Sequence, residues 1–362
     1  MERVRLGALS TIKTGKLDVN AENPKGKYPF FTCSKNHTYI DIYAFEGESI
    51  LVAGNGDLNV KYYDGKFNAY QRTYVVQTNE KLFAKYLYFF LDNYVEKLRE
   101  QSIGGVIKYI KLGNLTEAQI PLPPLSTQKN IAAKLDKAQE IIFYNKQLIG
   151  KYDQLTQSLF IDMFGDIVKN TMNFPLQLLK DFGSSRLGKM LDSKKIVGNN
   201  LKPYLRNSNV QWFRFQLNDL LKMDFDEKDK VEFSLKFGDI LMCEGGEIGR
   251  CAIWKNEIED CYFQKAIHRI RLNNKYILPQ YFVYMFKNIS DKGGLNEFKS
   301  AATISHLTGE KLKKMRMPIP PIELQNQFGD RMEKIEIQRQ LAQETLAKSE
   351  HLFQSLLKES FR

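Results

Sequence analysis

The sequence predicts an α+β protein made of two copies of one unit, each a mixed α/β globular part followed by a long helix. Residues 120–128 (IPLPPLSTQ) return in altered form as residues 317–325 (MPIPPIELQ), and the likeness continues without a gap for about 40 residues. Apolar residues follow each motif at three- and four-residue spacing, which is typical of a helix. The chain has 362 residues, of which 43% are hydrophobic and 26% charged. It is therefore long enough for two or three globular domains.

The segments before the two motifs also correspond, more loosely. Leu6 and the dipeptide Gly15-Lys16 match Leu179 and Gly188-Lys189. Short runs rich in β-branched and aromatic residues lie between Gly, Asn and Asp clusters and predict strands. Each globular part ends in an aromatic-rich helical stretch whose rings we expect in the core. The predicted domains are 1–120 and 166–315, each followed by a long helix at 121–165 and 316–362.

The long helices are predicted from the residues that mark their start and from the periodicity of their apolar residues. Ser126 follows the Pro-Pro pair and is a good N-cap candidate. A helix of about 40 residues would be roughly 60 Å long, too long to lie on one small domain. A seam sustained over several heptads favours pairing of the two helices as a coiled coil. The alternative is two separate amphipathic helices, each lying on its own domain.

Charge points to a polyanionic partner. The formal net charge is +11, and nearly all of it lies in the globular parts. Residues 1–120 carry +3 and residues 166–315 carry +7, whereas the helical segments 121–165 and 316–362 carry +1 and 0. This distribution favours globular parts that bind a polyanion and helices that act as spacers and docking elements. A solvated basic surface without function is the alternative.

No catalytic or metal-binding motif emerges from the sequence. There is no Walker A loop and no HExxH, and the glycine-rich stretches at 54–56 and 245–249 fit turns. The four cysteines include no C-x-x-C pair, which argues against zinc and fits a reducing compartment. The acidic run 224–230 fits a solvated loop. We therefore expect a protein that catalyses no reaction and needs no cofactor or metal.

Location is predicted from what the chain lacks. No stretch approaches 18 consecutive apolar residues, so we expect no membrane-spanning helix. The first residues show no apolar core followed by a cleavage site. These features predict a cytoplasmic protein.

The combination of motifs resembles the specificity (S) subunits of type I restriction–modification systems. The resemblance rests on the paired P-L-P-P-L-x-x-Q and P-I-P-P-I-x-x-Q motifs, each opening a long helix, and on the matching helix ends at 155–160 and 352–357. The stretches 203–210 (PYLRNSNV) and 238–245 (GDILMCEG), with Phe-Gly-Asp at 164–166, add to it. It covers essentially the whole chain.

The resemblance implies two target-recognition domains, each reading one half of a bipartite double-stranded DNA site, and two helices that pair antiparallel. Such a body has an internal pseudo-two-fold repeat, which suits inverted half-sites. It further implies docking of two DNA methyltransferase subunits and of restriction/translocase subunits. Two other functions remain open, a protein-interaction scaffold on a coiled-coil strut and a standalone DNA-binding regulator.

The base-reading residues are predicted by side-chain type. Direct readout needs donors and acceptors such as those of Arg, Lys, Asn and Gln in exposed loops. The candidates in the first domain are Ser34, Lys35, Asn36, Lys61, Tyr70 and Arg72. The candidates in the second domain are Arg206, Asn207, Asn209, Gln211, Gln264, Lys265 and Arg269.

Overall fold

The computed structural model describes residues 2–190, 198, 200–296 and 306–362. The chain divides into two compact units. Unit 1 comprises Met1–Leu148 and Ala342–Arg362, and unit 2 comprises Ile149–Leu341. Each unit therefore contains one globular part and portions of both long helices.

Unit 1 contains two four-stranded sheets and a short two-stranded one. Its strands are β1 (Arg3–Arg5), β2 (Ser10–Thr14), β3 (Tyr28–Phe31), β4 (Thr38–Ile40), β5 (Phe45–Glu46), β6 (Ser49–Ala53), β7 (Val60–Tyr63), β8 (Lys66–Ala69), β9 (Thr73–Thr78) and β10 (Gln119–Pro121). Its helices are α1 (Leu6–Leu9), α2 (Ala84–Gln101), α3 (Leu112–Thr116) and the first part of α4 (Leu125–Phe164). The sheet orders are β2-β9-β6-β7, β4-β3-β8-β5 and β1-β10.

Strand β6 lies at the centre of unit 1 because both of its faces are covered. Ile50 and Val52 pack in the cluster that contains α2 and the long helices. Leu51, on the opposite face, packs with Phe31 and Phe67 of the second sheet. A strand that is buried on both faces has no polar alternation, which explains the uniformly apolar run that ends in Ala53.

Unit 2 repeats this plan. Its strands are β11 (Leu176–Leu178), β12 (Gly183–Leu187), β13 (Leu201–Leu205), β14 (Val210–Gln211), β15 (Arg214–Phe215), β16 (Leu221–Asp224), β17 (Ile240–Cys243), β18 (Cys251–Ile253), β19 (Tyr262–Phe263), β20 (Ile267–Leu272) and β21 (Arg316–Pro318). Its helices are α5 (Leu179–Phe182), α6 (Glu227–Glu232), α7 (Pro279–Asp291), α8 (Gly309–Lys314) and the first part of α9 (Ile322–Ser360).

The sheets of the two units have matching strand orders. The order β12-β20-β17-β18 corresponds to β2-β9-β6-β7, and β16-β13-β19 corresponds to β4-β3-β8. The β14–β15 hairpin and α6 are additions of unit 2. Part of the acidic run 224–230 was expected to be a solvated loop and instead forms α6. The Asp226 carboxylate accepts a hydrogen bond from the Asp229 amide and caps this helix.

The duplicated Pro-Pro motifs are explained by one buried glutamine in each. Gln128 is fully buried; its side-chain oxygen accepts from the Phe83 amide at 2.8 Å, and its amide group donates to the carbonyls of Lys81 and Pro123. Gln325 makes the equivalent bonds to the Leu278 amide and to the Tyr276 and Pro320 carbonyls. Phe83 and Leu278 are the N-caps of α2 and α7 and lack a side-chain cap of their own. The motif therefore joins each long helix to the aromatic-rich helix of the same unit, α4 to α2 and α9 to α7.

The long helices extend over the predicted segments. Helix α4 begins at Leu125, so Ser126 lies in its first turn and is not the N-cap. Within unit 1, Lys146 Nζ of α4 lies 2.9 Å from a carboxylate oxygen of Glu350 on α9. Within unit 2, Arg339 of α9 lies 3.8 Å from Asp153 of α4. A later residue of α4 thus meets an earlier one of α9, which confirms the antiparallel pairing and excludes two separate helices.

Candidate nucleic-acid interface

Several loops of unit 1 leave its two sheets at the same edge. Strands β3 and β8 are parallel and therefore end together. The last residue of β6, Ala53, pairs with Thr73 at the start of β9, and β2 ends beside it at Thr14. The loops that follow form a surface that we call loop end 1. Loop end 1 consists of residues 15–17, 32–36, 54–59, 70–72 and 102–109.

Unit 2 has the same arrangement because its strands are ordered alike. β13 and β19 are parallel, and Cys243 at the end of β17 pairs with Ile267 at the start of β20. We call the corresponding surface loop end 2. Loop end 2 consists of residues 188–190, 206–209, 244–250, 264–266 and 306–308.

The matching glycines Gly15 and Gly188 permit close backbone contact at the two loop ends. A Cβ atom at Gly15 would overlap the Ala69 carbonyl oxygen, and one at Gly188 would overlap the carbonyl oxygen of Gln264. Only glycine fits such an approach. The Gly-Lys dipeptide that the two copies share is thus explained by packing, and it leaves Lys16 exposed beside the loops.

Loop end 1 is held together by hydrogen bonds between its loops. The Asn59 side-chain amide donates to the Cys33 carbonyl at 2.8 Å. The Gly54 amide donates to the Arg72 carbonyl, also at 2.8 Å. The Gly56 amide donates to the Lys108 carbonyl at 3.0 Å. These bonds join four separate segments, so the side chains at this end project from a braced surface.

Four of the predicted residues of the first domain are exposed on loop end 1. They are Ser34, Lys35, Asn36 and Arg72. Lys35 Nζ lies 3.7 Å from a carboxylate oxygen of Asp57, and because both side chains are largely exposed this ion pair contributes little to stability. The Arg72 guanidinium makes no hydrogen bond or ion pair with the described residues. These side chains are available to a ligand.

The other two predicted residues of the first domain are less accessible. Lys61 is half-buried and donates to the Thr32 carbonyl at 3.3 Å and to the Asn59 side-chain oxygen. Burial lowers its pKa from the usual lysine value. Tyr70 is also half-buried, and its backbone amide donates to the Phe31 carbonyl at 2.9 Å. Lys61 therefore supports the loop of residues 32–36 from beneath.

The predicted residues that follow β13 hold loop end 2 together. Arg206 donates to the Asp219 carboxylate at 2.7 Å and to its carbonyl oxygen at 2.9 Å. The Asn207 side chain donates to the Gly245 carbonyl at 2.7 Å and accepts from Arg250 at 2.9 Å. Both side chains are half-buried and already engaged.

Asn209 and Arg269 lie in the interior. Asn209 is fully buried, and its amide group donates to the Gln216 carbonyl and the Asp219 carboxylate. Arg269 is 9% exposed and donates to the carbonyl of Glu232, at the end of α6, and to that of Ser234. Both side chains are thus hydrogen-bonded within their unit. Base reading by Asn209 and Arg269 stays a prediction that their burial disfavours.

The remaining predicted residues lie at or beside loop end 2. Lys265 is exposed, and Gln264 is half-buried where its backbone pairs with Lys189. Gln211 lies on β14, where its side chain donates to the Ser208 carbonyl at 2.8 Å. Of the seven residues predicted in the second domain, only Lys265 is exposed.

The cations of loop end 2 are mostly paired, in contrast to those of loop end 1. Lys189 pairs with Asp229, Arg206 with Asp219, and Arg250 with Glu247. Loop end 1 carries Lys16, Lys35, Arg72 and Lys108 with Asp57 as its one acidic residue. The larger charge of segment 166–315 is thus not concentrated at loop end 2.

Three further polar residues of loop end 1 are not among the candidates predicted by residue type. Lys16 and Lys108 are exposed, and Asn55 is half-exposed where its backbone pairs with Tyr109. The shared Gly-Lys dipeptide could have identified Lys16. The Gly104-Gly105 pair just before Lys108 could have marked a projecting loop.

Buried thiols and metal-binding groups offer no competing site in the described part of the chain. Burial raises the pKa of Cys243 to about 11 and that of Cys261 to about 12, so these thiols are protonated and inert. Among the described residues, no group of three or more metal-binding side chains occurs. The helices within these ranges include none with the length and apolar character of a membrane span.

Comparisons with known proteins agree with this duplicated architecture. The family model for the type I restriction modification DNA specificity domain matches residues 1–151 and again 177–350. The type I restriction enzyme EcoDI specificity subunit of Escherichia coli is 28% identical, over 99% of this chain and 87% of its own length. A putative type I restriction enzyme specificity subunit of Haemophilus influenzae is 26% identical over 86% of this chain and 80% of its own.

Solved structures show the same fold. The type I restriction–modification S subunit from M. genitalium superposes with a TM-score of 0.65 at 18% identity, over 99% of this chain and 96% of that one. The relatives are named as specificity subunits of restriction enzymes. The predicted fold and the prediction of a non-catalytic chain are thereby confirmed. With two matches that together span most of its length, the chain belongs to the type I restriction–modification DNA specificity family.

Proposed function

We propose that this chain reads a bipartite double-stranded DNA sequence, one half-site with each loop end. The observation that carries the proposal is the repetition of the same braced loop end on two units of one chain. Each has polar loops at one edge of its sheets, and they differ in sequence where side chains would meet bases. Loop end 1 offers Ser34, Lys35, Asn36 and Arg72, and loop end 2 offers Lys265 with the braced Arg206 and Asn207. The two half-sites should therefore differ.

Substitution of Arg72 can show whether its side chain contacts a phosphate or a base. Loss of a phosphate contact weakens binding to all sequences about equally and lowers the salt slope by about one, whereas loss of a bidentate guanine contact removes about 1–3 kcal/mol at one base pair. Lys25 provides a matched control, since it is exposed just before β3 and thus at the opposite edge of the same sheet. Arg72→Ala is expected to alter DNA binding, and Lys25→Ala is not.

The proposal includes docking of two DNA methyltransferase subunits and of restriction/translocase subunits on the long helices. Within unit 1, helix α4 exposes Ile141, Phe143, Tyr144 and Leu148. Clustered exposed apolar side chains mark protein-binding surfaces. The double variant Phe143→Ser/Tyr144→Ser is expected to weaken methyltransferase binding. Ile42→Ser, which removes an equally exposed apolar side chain far from the helices in sequence, should not.

The decisive experiment combines methylome sequencing with binding. The host methylome, with and without this gene, identifies the candidate site. The chain purified with its methyltransferase is then titrated with DNA carrying single-base changes in each half-site. Two separated half-sites that lose affinity independently support the proposal. Tight specific binding by the chain alone would favour a standalone regulator and overturn the docking part of the proposal. Indifference to DNA would favour a scaffold and overturn the DNA-reading part.

A further inference from the structure

A five-residue tip projects from loop end 1 on a hydrogen-bonded base. The backbone amide of Ile103 donates to the Tyr109 carbonyl at 3.0 Å, and the Tyr109 amide donates back to Ile103 at 2.9 Å. The Ile110 amide then donates to the Gly54 carbonyl at 2.9 Å. Residues 104–108 form the tip between these bonds, and Gly104 turns the chain with a φ of +113°. The base is fixed by the sheet edge, and the tip extends from it.

The tip and its base expose three aliphatic side chains. Val106 is fully exposed, Ile107 is 62% exposed and Ile103 is 43% exposed. Single exposed apolar residues are ordinary on protein surfaces, whereas a contiguous group framed by polar residues marks a binding site. Gly104 and Gly105 lie between Ile103 and Val106, so Val106 and Ile107 project with little side-chain bulk behind them.

The surroundings of the tip favour a polyanion over a protein or a lipid. Lys108 follows Ile107 directly, and the Gly54–Asp57 loop bonded to the tip is bonded in turn to the Arg72 carbonyl. The carboxylate of Asp57 is engaged by Arg99 at 3.0 Å and lies near Lys35. The apolar tip thus belongs to a loop end that carries the exposed cations Lys35, Arg72 and Lys108, whose charge suits the phosphates of a polyanion.

We propose that Val106 and Ile107 act as a wedge that enters a DNA groove and partly unstacks one base step in the first half-site. The proposal rests on the proposed DNA-reading function and adds how loop end 1 engages the duplex. Aliphatic side chains inserted between base steps bend DNA, and the cost of unstacking is offset by contacts that the bend permits. The step's deformability would then contribute to specificity without hydrogen bonds to its bases.

The test measures unstacking directly. The chain in complex with its methyltransferase is bound to its identified site carrying 2-aminopurine at successive positions of each half-site. The fluorescence of this base rises when it is unstacked. We expect a rise at one step of the half-site read by unit 1, and a kink in the same place by FRET between labelled DNA ends. Val106→Ser/Ile107→Ser is expected to abolish both signals and to weaken binding about ten-fold.

Ile42→Ser is the matched control. Ile42 is 61% exposed and follows β4, which ends at the opposite edge of the sheet from loop end 1. It should leave fluorescence, bend and affinity unchanged. If the double variant unstacks and binds DNA like the wild type, the wedge does not exist. The double variant could instead lose affinity without any change in fluorescence. If this loss disappears when thymine is replaced by uracil, the two side chains contact a thymine methyl group and the wedge is overturned.

Failure of the wedge can be told from failure of the proposed function. If the wild-type complex shows no sequence-specific binding, the DNA-reading proposal itself fails. If the wild-type complex reads its site and the double variant behaves identically, only the wedge is wrong.

Discussion

Gln128→Met removes the side chain that joins the Pro-Pro motif to helix α2. The substitution keeps a similar volume but leaves the Phe83 amide and the Lys81 and Pro123 carbonyls without their partner. A buried backbone group left unpaired costs about 1–3 kcal/mol, and two of these three bonds lie in partly buried surroundings where water can substitute. We therefore expect a loss of about 2–4 kcal/mol, localised to unit 1.

Hydrogen exchange followed by mass spectrometry is the appropriate assay, because a protein of two units does not unfold in one two-state step. The amides of the first turn of α2 should exchange at least about 30-fold faster in Gln128→Met than in the wild type. The equivalent change in unit 2, Gln325→Met, should accelerate exchange at the start of α7 and leave α2 unaffected.

Gln147→Met is the matched control, since Gln147 is an exposed glutamine on the same helix. Its substitution is expected to change stability by no more than about 0.5 kcal/mol. The reasoning would be refuted if Gln128→Met and Gln147→Met gave the same exchange pattern at α2, because the buried glutamine would then not hold that helix.

Three further predictions follow from unit 2 and from the long helices. Burial lowers the pKa of His268 below 6.5, although Glu244 and a bond to the Leu307 carbonyl act in the opposite direction. Because the unfolded chain then binds a proton more readily than the folded one, unit 2 should lose stability as pH falls below 6.5. Urea titrations at pH 7.5 and 5.5 measure this loss, which should be smaller in His268→Gln. Arg206→Ala should relax the sequence specificity at one half-site, measured by binding to DNA with single-base changes. Asp219→Ala breaks the same ion pair but keeps the guanidinium. Equal effects of the two substitutions would show that Arg206 acts only by holding its loop in place. Inserting seven residues into each of α4 and α9, at equivalent points, should lengthen the gap between half-sites by about three base pairs, because it adds about 10 Å of helix. An unchanged gap in methylome sequencing would contradict this.

The repeat and the long helices could be predicted from sequence because they depend on local rules. The three- and four-residue spacing of apolar residues determines a helix face wherever it occurs. The Pro-Pro pair stops the preceding chain, and the structure begins α4 at Leu125 immediately after it. The aromatic-rich stretches became the buried faces of α2 and α7, as expected. The domain boundaries at 120, 165 and 315 stay predictions.

The reason for the motif itself was not accessible from sequence. Gln128 is conspicuous as part of a duplicated pattern, but its partner Phe83 lies 45 residues earlier. Nothing local to either residue indicates that they meet. Only the packing of α4 against α2 brings the glutamine to the unpaired amide.

The accessible residues at the candidate interface were likewise decided by tertiary structure. Asn209 and Arg72 are equally plausible base readers by residue type, yet Asn209 is buried against Gln216 and Asp219 whereas Arg72 is exposed. A polar side chain is withdrawn from solvent when the fold brings matching donors and acceptors to it, and those groups come from distant parts of the chain. Sequence alone thus determined the repeated unit, its helices and the kind of ligand that its charge suits. The strand order determined which loops share an edge, and therefore which side chains are free to bind.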